Sequence, residues 1–150
     1  MAANRGVLAE RSVCYKKGMT EVAQGSFDIT VNREPPYDSA DGLVLGRTSI
    51  AKTFKGELEA SSTVQMLSAG TPTQGSAVYV ALERVHGKLA GRSGNFVLVH
   101  RGLMNRGQAS LQLEVAPDSG TGELVGLAGQ MQIEIKDGQH FYRFEYRLTP

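Results

Sequence analysis

The sequence predicts an all-β domain on three observations. Apolar residues recur at every second position over most of the chain, glycine-rich turns separate the alternating runs, and no segment of ten or more residues carries a helical period. Eight such runs, joined mostly by short links, can close into a single antiparallel up-and-down barrel. Closure removes the exposed strand edges that an open sheet would leave. A two-sheet β-sandwich is the alternative.

The elements follow in order. GSFDITVNR, 25–33, places Phe27, Ile29 and Val31 on one face and Asp28, Thr30 and Asn32 on the other. Pro35 and Pro36 remove ladder donors, so EPPYDSADG, 34–42, reads as a turn-rich connection. LVLGRTSIAKTF, 43–54, is the second strand, with Lys52 in phase with Ile50 and Phe54. GELEASSTVQML, 56–67, is the third, with Leu58, Ala60, Val64 and Met66 in phase, and SAGTPTQGS, 68–76, is a loop. YVALERVHGKLAGRSGNFVLVHRG, 79–102, supplies two strands around a reversal at Leu89–Ser93. ASLQLEV, 109–115, aligns Leu111, Leu113 and Val115. APDSGTGELVG, 116–126, is a longer loop with room for one helical turn, capped by Ser119 or Thr121 and ended by Gly126. AGQMQIEI, 128–135, and HFYRFEYRL, 140–148, flank a tight Asp-Gly turn.

The chain has 150 residues, enough for one domain, and the expected domain covers 21–150. Residues 1–20 read as a disordered extension, with Met19 as a second start position just before the first strand. Sixteen basic and 15 acidic residues give a net charge of +1, so no nucleic-acid partner is expected. No apolar run is long enough to span a bilayer, so no membrane partner is expected either. Cys14 is the single cysteine, which excludes an intramolecular disulfide and a thiolate zinc site and points to a cytoplasmic protein. His86, His100 and His140 lack ligand spacing, and DSGTGELVGLAG lacks the lysine and following helix of a phosphate loop. Neither a metal nor another cofactor is expected. The Arg-Gly pairs at 101–102 and 106–107 read as turn punctuation.

The 79–102 hairpin raises the chemical question. With an even-numbered turn, Tyr79, Ala81, Glu83 and Val85 share a face with Phe96, Leu98 and His100. Glu83 and His100 are then either directly opposed or diagonal neighbours, and both registers allow contact. A carboxylate in a closed barrel must be protonated or paired, and a nearby imidazole could make it a base. Lys52 is a second candidate partner. Tyr79, Phe96, Tyr142, Phe144 and Tyr146 would line the pocket. The plainer readings are a buried structural pair and aromatic core. The other hairpin face carries Val78, Val80, Leu82, Val97 and Val99 between basic ends, which suits a homo-oligomer interface.

Three stretches carry a family resemblance: IAKTFKGELEA at 50–60, the hairpin at 79–102, and SGTGELVGLAG at 119–129. They resemble the bacterial family catalogued as domain of unknown function 3224. That resemblance implies a fold like the allene oxide cyclase barrel, which is lipocalin-like in outline and usually oligomeric. It implies no settled reaction, and no residue matches the plant cyclase site. Three function classes follow as expectations. The first is a barrel that binds a small hydrophobic molecule. The second is a cofactor-free isomerase or cyclase of the allene oxide cyclase type, with Glu83 and His100 as acid–base pair. The third is a structural or interaction protein with a plugged lumen. Lumen volume discriminates among them.

Overall fold

The computed structural model describes residues 19–149. The expected extension over 1–20 falls almost wholly outside them. The described chain is all β apart from one 3-10 turn at Gly122–Leu124. Nine strands run in order: β1 (Glu21–Arg33), β2 (Asp38–Ala40), β3 (Leu43–Gly56), β4 (Leu58–Gly70), β5 (Ala77–Leu89), β6 (Arg92–Asn105), β7 (Gln108–Val115), β8 (Leu127–Lys136) and β9 (Gln139–Leu148). Every pairing is antiparallel, and pairing of β1 with both β9 and β3 closes eight strands into a barrel. That closure rules out the sandwich. β2 lies outside the barrel as a short flap on β3, within the stretch read as connection.

The turns set the registers. Four hairpins reverse through two residues of positive φ ending in glycine: Asp41–Gly42, Ala90–Gly91, Arg106–Gly107 and Asp137–Gly138. Two-residue turns of this hand match the right-handed strand twist. Arg106–Gly107 is thus the turn expected from sequence. Arg101–Gly102 is not: it lies inside β6, where Gly102 faces inward under the Tyr79 ring. A Cβ at Gly102 would collide with that ring. The connection from β7 to β8 also differs from expectation. Thr121 precedes the 3-10 turn but makes no side-chain cap. Instead the Ser119 and Thr121 hydroxyls accept the backbone N–H groups of Val97 and Asn95, at 3.1 and 3.0 Å. The loop thereby straps itself to β6 where β7 has ended, and Leu124 is buried beneath it.

Alternation decides what lies inside. The end of the barrel bearing the β3–β4 and β5–β6 turns is packed solid. Leu58, Leu89, Phe96, Leu124, Leu127, Phe144 and Tyr146 are buried there. Phe96 stacks on Phe144 at 5.8 Å between centroids, and Phe144 meets Tyr146 at 5.3 Å. At the opposite end the inward-facing Ile29, Val31, Met104, Leu111 and Ile135 remain between 38% and 66% exposed. There the seam between β7 and β8 pairs only at Glu114 and Gln130, so the two strands part toward that end. The barrel is a cup with a filled base and an apolar open mouth. On its outer wall Leu67, Val78, Val80, Leu82 and Leu103 form an exposed apolar patch on β4, β5 and β6.

Tyr142 ties the base together. Its hydroxyl accepts the Leu58 N–H at 2.9 Å and donates to the Lys55 carbonyl at 3.0 Å, across the turn between β3 and β4. Burial raises its pKa, as does the Glu57 charge, so it stays a neutral phenol. Tyr142→Phe leaves the buried Leu58 N–H without an acceptor and is expected to cost about 1–3 kcal/mol. Urea unfolding measures this, and an unchanged midpoint would show the tie to be dispensable.

Candidate functional site

Between the packed base and the open mouth lies one polar layer. It is built from side chains on four consecutive strands: Lys52 on β3, Ser62 on β4, Glu83 on β5 and His100 on β6. Each occupies an inward position of its strand, and all four are buried, Glu83 completely. Lys52 and Ser62 are directly opposed across β3 and β4. Glu83 pairs with Leu98 and His100 with Ala81, so Glu83 and His100 are diagonal neighbours. The two-residue turn at Ala90–Gly91 selects this register of the two left open by the sequence.

Glu83 is the hub. Its Oε2 accepts from Lys52 Nζ at 3.1 Å and from His100 Nε2 at 2.6 Å, while Oε1 accepts from Ser62 Oγ at 2.5 Å. Burial pushes the Glu83 carboxyl up. The His100 hydrogen bond, the Lys52 charge and the Ser62 hydroxyl together outweigh burial and hold it below the usual carboxylate value. Glu83 is therefore an ionised carboxylate with its lone pairs largely committed. The Lys52 ammonium also lies over the Phe27 ring at 4.8 Å and the Phe54 ring at 5.8 Å, which replaces some of its lost hydration. Among the described residues the one buried side-chain nitrogen or oxygen without a partner is Arg143 Nη1, outside this layer.

The structure divides the eight residues singled out from sequence into two groups. Lys52, Glu83 and His100 form the polar layer, and Tyr79 stands one row above it with its ring 6.4 Å from His100. Phe96, Tyr142, Phe144 and Tyr146 belong to the packed base. Burial, with a hydrogen bond to Glu21, pushes the Tyr146 phenol up to about 12. Sequence reasoning missed Ser62. The signal was there: it sits in phase with Leu58, Ala60, Val64 and Met66, a hydroxyl in an otherwise apolar row.

Above the layer, the mouth contains a cavity of about 280 Å³. Met66, Ser68, Ala77, Tyr79, Met104, Ala109 and Leu111 line it, none of them charged. The volume is just below the roughly 300–1,000 Å³ usual for small-molecule sites. Among the described residues no group of three or more His, Cys, Asp or Glu side chains is arranged to hold a metal.

Comparison with known proteins agrees with this architecture. No curated protein matches the chain. A crystal structure of a protein of unknown function from Shewanella oneidensis MR-1, itself of the DUF3224 family, superposes with a TM-score of 0.83 at 50% identity. The match covers 88% of this chain and 100% of that one. The family model described as "Protein of unknown function (DUF3224)" matches residues 23–146, and the chain belongs to that family.

Proposed function

We propose that the protein binds a small, mainly apolar molecule in the mouth of its barrel. The observation that carries this reading is the uncharged apolar cavity above a self-compensated polar layer. A barrel built only for structure has no reason to stop its aromatic packing halfway. Here the base is filled to the Phe27 and Phe54 layer while inward apolar side chains higher up stay open to the exterior. Transfer of an apolar ligand onto them is favourable by roughly 25 cal/mol per Å² covered.

Native mass spectrometry of protein purified from its own host tests the reading. The wild type is expected to retain a small mass that is lost on activation. Ala109→Trp, which fills the cavity, is expected to lose most of it. A bare wild-type mass, together with failure to take up an apolar fluorescent dye, would overturn the proposal.

A cofactor-free isomerase or cyclase is the second reading, favoured by the 2.6 Å contact between His100 and Glu83. The state of the carboxylate weighs against Glu83 as the base. A general base works best with a pKa near the operating pH and a free lone pair. Glu83 has a lowered pKa and three donors already in place.

A further inference from the structure

The cavity wall also restricts the chemistry of its occupant. Three hydroxyl residues interrupt the apolar lining: Ser110, at an outward position of β7, and the inward pair Ser68 on β4 and Tyr79 on β5, directly opposed in the ladder. Neither hydroxyl of this pair has a hydrogen-bond partner among the described residues, neither is a buried orphan atom, and both residues belong to the cavity wall. The Tyr79 ring is held in place over Gly102, where no side chain fits. No cation lines the cavity. Lys52 sits in the layer below and donates to Glu83, and Arg106 stands in the turn at the rim, outside the lining.

We propose, resting on the ligand-binding reading above, that the site takes an uncharged apolar molecule bearing one carbonyl-type acceptor, which the Tyr79 hydroxyl donates to and Ser68 supports. The size follows from the volume. At about 30 Å³ per water-sized atom, the cavity holds on the order of ten non-hydrogen atoms. Selection against anions follows from the field. Burial, then the Glu83 charge, raises the Tyr79 pKa, and an anionic ligand there would meet the same two penalties. A carboxylate ligand would find hydroxyl donors but no counter-charge among the residues that line the cavity. A pure alkane would leave the hydroxyls unpaired.

The test is a titration of the full chain with 2-nonanone, nonanoate and nonane, followed through the Met66 and Met104 methyl resonances. The ketone is expected to bind about tenfold or more tighter than the carboxylate. Tyr79→Phe is expected to weaken the ketone about fivefold, the scale of one neutral hydrogen bond, while leaving nonane unchanged. Nonanoate binding as tightly as the ketone, or a ketone affinity unmoved in both Tyr79→Phe and Ser68→Ala, would overturn this inference while leaving the binding cup intact. Absence of any shift with all three probes would instead refute the cup itself.

Discussion

Glu83→Ala is expected to destabilise the barrel by about 3–5 kcal/mol at neutral pH, because it strands the Lys52 ammonium in a buried layer without its counter-charge. The carboxylate also satisfies His100 and Ser62, so three donors lose their acceptor at once. The companion variant separates charge from packing. Lys52→Met combined with Glu83→Leu removes both charges at similar volume and is expected to recover most of the loss, since replacing a whole buried ion pair by apolar groups is often nearly neutral. The pH dependence has a definite sign. The folded-state pKa of Glu83 lies below its unfolded value, so its contribution is fully present above about pH 4.3 and is lost as pH falls through the folded value. Denaturant melts of wild type and Glu83→Gln should therefore converge as the pH is lowered through the acid range. A gap that stays constant from pH 7 down to acid unfolding would contradict the ionised hub. A loss below about 1 kcal/mol for Glu83→Ala would show that the layer is not integral to the fold.

Phe144→Ala carries the other large effect. Phe144 is fully buried on β9 between Phe96 and Tyr146, in the filled half of the lumen. Removing its ring should cost about 3–5 kcal/mol, because neighbours held by closed strands cannot collapse into the space. Ile135 makes the contrast. It is an inward-facing β-branched residue one strand away, on β8, but it stands at the mouth and is 66% exposed. Ile135→Ala should change stability by only about 0.5 kcal/mol. The pair of values distinguishes a cup from a barrel packed along its whole length: similar losses at both sites would mean that the mouth is closed by packing in solution. The same asymmetry bears on function, since a binding site needs the open half and its rigidity comes from the filled half.

Alternation reveals the strands and the inward rows, and with an even-numbered turn it puts Glu83 and His100 on one face, because side-chain direction in a strand repeats every two residues. Turn chemistry was legible where it is local, as at Asp137–Gly138. It was ambiguous where Ala90 takes a positive φ that its residue type does not advertise. That ambiguity left the Glu83–His100 register open by one step. The bond from Ser62 to Glu83 and the strap from Ser119 and Thr121 to β6 were beyond reach for a different reason: a hydroxyl's partner depends on which strand lies beside it, and adjacency between distant segments is a property of the closed sheet. The depth of filling had the same origin. Phe96, Tyr142, Phe144 and Tyr146 read as possible pocket lining because periodicity reports which face a residue occupies and says nothing of its height along the barrel axis. Sequence determined the all-β class, the inward faces and three of the four members of the polar layer, Lys52, Glu83 and His100. Tertiary structure decided how high the aromatic packing rises and which donors meet the buried carboxylate, because both follow from strand stagger and closure, which bring together residues far apart in the chain.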